Sequence, residues 1–164
     1  MIPKIIHYCW FGGSPEPDDV KQCIASWRKY LPDYKIKRWD ETNYDVHKNQ
    51  YMSDAYKEKK WAFVSDYCRI DVVYQYGGIY LDTDVEVKKS FDPLLSEEMF
   101  CGFESRDPLM FKKGVTIEQS VAFGLGFGST CGHKVLKQML ELYEKLSFYN
   151  TDGSLNLIDR KSNV

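Results

Sequence analysis

The sequence predicts an α/β fold, a sheet flanked by helices, and three segments carry that prediction. Lys4–Trp10 (KIIHYCW) is β-rich and apolar at both alternating sets of positions, as a strand buried inside a parallel sheet would be. A helical segment and a second β-rich run, Tyr34–Trp39, follow it directly, making a strand-helix-strand unit. Further on, Ile79-Tyr80-Leu81 emerges from Gly77-Gly78 as a short apolar run entered from a turn, which reads as another buried strand.

In chain order, Phe11-Gly12-Gly13-Ser14-Pro15 ends the first strand in a loop. A helix is expected from Pro17-Asp18-Asp19, with carboxylates in its first turn, to about Tyr30; Pro32-Asp33 then breaks the chain before the second strand. Residues 40–56 are polar and mixed, a loop with a short helix. A long helix reads from Tyr56 to Tyr76 and is capped by Gly77-Gly78. Val85-Glu86-Val87 alternates like a continuation of the strand before it. Further short strands are expected within Glu97–Glu104 and Gly114–Gly128. His133–Leu146 reads as a closing helix, with Val135, Leu136, Met139, Leu140, Tyr143 and Leu146 at helical spacing. Residues 1–150 form one domain on this reading, and the polar tail 151–164 is the truncated end of the same domain.

Composition narrows the classes. The 164 residues suffice for one domain with a core, and 43% hydrophobic with 28% charged residues is ordinary for a globular protein. A net charge of −2 with no basic block argues against nucleic acid as a partner. The five cysteines, Cys9, Cys23, Cys68, Cys101 and Cys131, are scattered and form no Cys-x-x-Cys pair, so neither a zinc knuckle nor a disulfide framework is signalled. Cys9 and Cys68 lie in apolar segments and read as core thiols in a reducing compartment. His7, in mid-strand, reads as a hydrogen-bonded core histidine. No signal peptide opens the chain and no stretch approaches the ~18 apolar residues of a membrane span, so the expected location is cytoplasmic, or peripheral at the inner face of a membrane.

The chemistry concentrates at Asp82-Thr83-Asp84, where a strand delivers two carboxylates to one small volume. Left alone they repel, and one would take up a proton. A divalent cation removes the conflict, because Mg²⁺ or Mn²⁺ prefers oxygen ligands and often needs only one or two carboxylates plus a substrate diphosphate. A second constellation lies on the long helix. At ~100° per residue, Phe63, Tyr67, Ile70 and Tyr74 form an apolar stripe with Ala62 and Val73 beside it. Asp66 falls inside that arc, Arg69 at its edge within reach of Asp66, and Asp71 on the far side, solvated. A carboxylate in an apolar arc needs a partner. Either Asp66–Arg69 is an ion pair bracing the core, or both residues face the crevice beyond the Asp-x-Asp strand and meet sugar and phosphate oxygens.

Together, Ile5–Gly13, Ala62–Arg69 and Gly77–Asp84 (Gly-Gly-Ile-Tyr-Leu-Asp-Thr-Asp) resemble the Asp-x-Asp sugar-transfer enzymes of glycosyltransferase family 32, which include bacterial capsular and surface-polysaccharide transferases. Ser-Asp-x-x-Arg followed by Gly-Gly-x-Tyr-x-Asp-x-Asp is similar to the catalytic domain of the large clostridial glucosylating toxins as well. The resemblance covers residues 2–150 and implies a GT-A (Rossmann-like) mixed sheet, a nucleotide-sugar donor, a Mn²⁺ or Mg²⁺ cofactor and retention of anomeric configuration. By position it implies that Trp10 stacks on the uracil of a UDP-sugar, that Ser65, Asp66 and Arg69 bind the donor, that Asp82 contacts sugar and ribose, and that Asp84 is the direct metal ligand. Asp82, Asp84 and Arg69 are the catalytic candidates, with a carbohydrate or lipid-linked glycan as acceptor. Family members continue into a further segment with aromatic and histidine contacts, and this chain ends before one. Two other readings stand beside the transferase. One is a nucleotide-sugar or glycan-binding module. The other is a dehalogenase-type phosphatase, whose Asp-x-Asp wants Thr or Val where this chain has Glu86.

Overall fold

The computed structural model describes residues 1–102 and 123–156. Its elements are β1 (Ile5–Cys9), α1 (Asp18–Tyr30), β2 (Lys35–Trp39), α2 (Gln50–Lys57), α3 (Trp61–Tyr76), β3 (Gly78–Leu81), a 3-10 turn (Asp92–Leu94), β4 (Met99–Cys101), β5 (Gly126–Ser129) and α4 (Lys134–Tyr143). The five strands form one mixed sheet in the order β2-β1-β3-β5-β4. β1 runs parallel to both β2 and β3, while β5 is antiparallel to β3 and to β4. The first two strands and α1 therefore fall where the sequence pattern puts them.

Alternation along the central strands feeds a core on each face of the sheet. Ile6 and Tyr8 of β1, with Ile79 and Leu81 of β3, pack against Val20, Ile24 and Trp27 of α1. Cys9 and Tyr80 point the other way, into a core built with Met52 and Ala55 of α2, Val64, Cys68 and Val72 of α3, Leu136 of α4, and Phe148. All five cysteines are free, and Cys9 and Cys68 are buried as expected. His7 is 1% exposed and makes two core hydrogen bonds, Nε2–H donating to Gly77 O (2.8 Å) and Nδ1 accepting from Trp39 Nε1–H (3.0 Å). Burial holds its pKa down at about 4, against the pull of the Gly77 carbonyl.

Four expectations need correction. The long helix starts at Trp61 rather than Tyr56, because α2 stops at a Schellman-type cap. Lys59 takes φ +55°, Lys60 N–H reaches back to Ala55 O (2.9 Å) and Lys59 N–H to Tyr56 O (3.0 Å). A lysine occupies the position where glycine is the usual signal, which is why the break was not legible. Second, Val85–Val87 is no strand. Its alternation reflects packing beneath α1: Val85 O accepts from the Trp27 indole (2.7 Å), and Val87 N–H donates to Ser26 Oγ (2.9 Å).

Third, Asp71 is buried, not solvated. It accepts from Tyr44 Oη (2.6 Å), Lys48 Nζ (2.6 Å) and Gln75 Nε2 (2.8 Å). The segment between β2 and α2 folds over that side of α3, which a helical wheel of α3 alone does not show. Fourth, Arg69 is not at an edge; α3 is covered on several sides and Arg69 is 4% exposed. The strands expected in Glu97–Glu104 and Gly114–Gly128 are represented by β4 and the start of β5, and residues 103–122 lie outside the described residues. Among the described residues no helix is long and apolar enough to cross a membrane.

Candidate active site

β1 and β3 are parallel neighbours whose connections leave toward opposite edges of the sheet, β1 to β2 at one edge and β3 to β4 at the other. At such a switch point the chains diverge beyond the carboxyl ends of the strands and leave a crevice, where α/β sheets bind ligands. Here an open cleft of about 300 Å³ is lined by Trp10 after β1, Trp61, Ser65 and Arg69 of α3, and Asp82 and Asp84 after β3. Gly77 and Gly78 make the sharp entry into β3. Both have positive φ (+63° and +107°), and a Cβ on Gly78 would stand 2.7 Å from Ile5 O.

Trp10 is half-buried, its N–H bound to Trp39 O (2.9 Å) and its indole N–H to Ser14 O (2.7 Å), so the ring is held at the strand end by the loop that follows. Ser65, which lines the cleft, donates its Oγ–H to Trp61 O one turn back (3.0 Å). Arg69 is the hub. Its guanidinium pairs with Asp66 (2.5 Å), approaches Asp82 at 3.4 Å, donates to Gly124 O (3.0 Å) and Ser65 O (3.2 Å), and lies 5.0 Å from the Tyr80 ring centre. Burial works against its charge, yet Tyr80, Asp66 and Asp82 together hold its pKa above the ordinary arginine value.

The Asp66–Arg69 ion pair foreseen from the wheel is present, and it continues to Asp82. The core-bracing and site-facing readings are thus not exclusive: Asp66 stands behind the guanidinium that lines the cleft.

The two aspartates occupy a turn after β3. Asp82 N–H bonds to Leu125 O (3.1 Å), and its own carbonyl accepts from Val85 N–H (3.1 Å). Asp82 is partly covered, and burial raises its pKa, opposed by Arg69 and by the Tyr80 hydroxyl that donates to it at 2.9 Å. Asp84 is exposed and makes no ion pair among the described residues. Two carboxylates of one turn, one poorly compensated and one facing solvent, suit a hard divalent cation that completes its shell with water and phosphate oxygens. They do not suit a zinc centre, and among the described residues no group of three or more His, Cys, Asp or Glu side chains could hold a metal alone.

Tyr80 was not singled out from the sequence, although the signal was there: residues two apart on a strand share a face, so Tyr80 lies under Asp82. Its burial raises its own pKa, keeping it a proton donor to Asp82. Trp61 and the backbone carbonyl of Gly124 carried no such signal.

The sequence matches the model of a family described as "Glycosyltransferase sugar-binding region containing DXD motif" over residues 17–101. Inositol phosphoceramide mannosyltransferase 3 of Schizosaccharomyces pombe is 36% identical over 105 residues, which is 57% of this chain and 27% of that protein. Mannosyl phosphorylinositol ceramide synthase SUR1 of Saccharomyces cerevisiae is 32% identical over 104 residues, 61% of this chain and 27% of that protein. The similarity thus spans about a quarter of these relatives' length. Among solved structures, the PaToxG glycosyltransferase superposes with a TM-score of 0.63 over 86% of this chain and 60% of that one, at 18% identity, a likeness of fold. With the family match covering more than half of its length, and with a GT-A-like mixed sheet, this chain belongs to the Asp-x-Asp-containing glycosyltransferase sugar-binding family.

Proposed function

We propose that this protein is a metal-dependent, retaining glycosyltransferase that moves a sugar from a nucleotide-sugar, a UDP-sugar on the reading of Trp10, to a hydroxyl of a carbohydrate or lipid-linked glycan. The observation that carries this reading is the convergence of Trp10, Ser65, Arg69, Asp82 and Asp84 on one cleft at the ends of β1 and β3. Trp10 offers a face for the base, and stacking of a base on an aromatic contributes roughly 1–3 kcal/mol in comparable sites. In this reading Asp82 accepts hydroxyls of the sugar and ribose from the cleft wall, and Asp66, which stands behind Arg69 and outside the cleft lining, contributes to donor binding by orienting that guanidinium.

Asp84, with Asp82, would hold Mn²⁺ or Mg²⁺, which when bound supplies Lewis-acid stabilisation to the leaving diphosphate. Arg69 presents a fixed positive charge to the same developing negative charge, in a site where its orientation is already set by Asp66 and Gly124. Among the described residues lining the cleft, no side chain apart from the two carboxylates assigned to metal and donor stands out as a nucleophile, which favours front-face attack. The acceptor oxygen forms its bond to C1 on the face from which the diphosphate departs, and the acceptor proton passes to the diphosphate.

The mannosyl transfer in the yeast relatives' names puts mannose, and inositol-phosphate-bearing lipids, among the donors and acceptors to test. The test is release of nucleoside diphosphate from a panel of UDP- and GDP-sugars with Mn²⁺, with and without acceptor. Asp84→Ala is expected to lower turnover by on the order of 10²-fold. Near-wild-type turnover of that variant in metal-replete buffer would remove the metal role from Asp84, and a wild type that binds donors but never cleaves them would favour the binding-module reading.

A further inference from the structure

The cleft has a second indole that the transfer reaction, as described, does not use. Trp61 is the first residue of α3, is half-buried, and lines the cleft with Trp10. Its ring abuts the loop that carries Trp10: a Cβ on Gly12 would stand 2.6 Å from Trp61 Cε2 and 2.7 Å from Nε1, and Gly12 also has φ +92°. Glycine at this position lets the indole and the loop backbone close on each other.

Three groups fix the ring. Tyr56 packs edge-to-face against it with ring centres 5.3 Å apart. The Tyr56 hydroxyl donates to Glu41 (3.3 Å), and the same Glu41 oxygen accepts from Gly12 N–H (2.6 Å). One carboxylate thereby ties the loop after β1 to the aromatic that supports Trp61. The indole N–H makes no hydrogen bond to the described residues and is not fully buried. Part of the ring lines the cleft beside Trp10, where its apolar face is available to a ligand.

We propose that Trp61 is a second base-contacting residue, which together with Trp10 bounds a preorganised slot for the nucleobase and sets which base is accepted. The inference rests on the nucleotide-sugar reading above. Position assigns Trp61 to the base rather than to the diphosphate, because it touches the loop two residues beyond Trp10, whereas the diphosphate carboxylates follow β3. The ring, already ordered by Tyr56 and Gly12, loses little freedom on binding.

The experiment is calorimetric titration of wild type, Trp61→Ala and Trp61→Phe with UDP, GDP and inorganic pyrophosphate in the presence of Mn²⁺, with thermal denaturation as the fold control. Trp61→Ala is expected to weaken binding of the preferred nucleoside diphosphate about tenfold or more. It should leave pyrophosphate affinity unchanged and shift the UDP-to-GDP ratio. Trp61→Phe, which keeps a ring against Tyr56, should restore most of the affinity. If the alanine variant does not fold, Trp61→Leu is read in the same way. Equal losses for nucleotide and pyrophosphate, or a loss under twofold with an unchanged ratio, would overturn the assignment while leaving the nucleotide-sugar reading intact. Wild-type protein that binds neither nucleotide would overturn both.

Discussion

At the scale of single residues, the site is organised by one buried cation among carboxylates. Arg69 is almost wholly enclosed and bridges Asp66 to Asp82, so removing it would leave two carboxylates without their counter-charge, a change that typically costs 3–5 kcal/mol. Tyr80 is the gentler probe. Its hydroxyl donates to Asp82 at 2.9 Å, and Tyr80→Phe deletes that donor while keeping the buried ring. Stability should fall by roughly 1–3 kcal/mol in urea titration, because the acceptor is charged. The Mn²⁺ concentration for half-maximal donor turnover should rise several-fold as Asp82 loses its orientation; an unchanged metal titration would show that Arg69 alone fixes Asp82. The sequence made Asp66, Arg69, Asp82 and Asp84 visible as candidates, since carboxylates at a strand end and inside an apolar arc are chemically conspicuous. It did not show that Arg69 is the more buried partner or that Asp71 is enclosed, since Gly124, Tyr44 and Lys48 reach them from distant segments.

At the scale of elements, β1, β2, β3 and α1 were legible because each carries its own periodicity or boundary residues, whereas the division between α2 and α3 and the absence of a strand at Val85–Val87 were not. Lys59 holds the left-handed position of the α2 cap at φ +55°, a conformation that disfavours a side chain by about 1–2 kcal/mol. Lys59→Gly is therefore expected to raise stability by up to about 1 kcal/mol, once the extra freedom of glycine in the unfolded chain is set against that relief. A decrease in Tm would mean that the Lys59 side chain contributes more than its strain costs. The seam between β1, β2 and α3 has its own pH signature. His7, hydrogen-bonded to Gly77 and Trp39, has its pKa lowered to about 4 by burial, while in the unfolded chain it titrates near its ordinary 6.5. The unfolded state binds the extra proton between those values. The contribution of His7 is therefore complete above pH 6.5 and is lost as pH falls toward 4, amounting to about 3 kcal/mol. Urea denaturation across that window should show a shallower pH dependence for His7→Gln than for the wild type, and parallel curves would contradict the burial argument.

At the scale of the whole molecule, the sheet order brings together segments far apart in sequence. Residues at the end of β1, along the first turns of α3 and beyond β3 line one cleft because β1 and β3 are parallel neighbours and α3 packs across them. The Asp-x-Asp turn therefore shares its cleft with Trp10 and α3, and the proposed transfer draws on all three. Calorimetric titration of UDP- and GDP-sugars into the wild type and Asp84→Ala, each with and without Mn²⁺, tests this most directly. One nucleotide-sugar is expected to bind the wild type, Mn²⁺ to tighten that binding at least tenfold, and Asp84→Ala to abolish the Mn²⁺ effect while leaving the fold intact. Binding that is indifferent to both Mn²⁺ and Asp84, or no binding of any nucleotide-sugar, would contradict the proposed transfer.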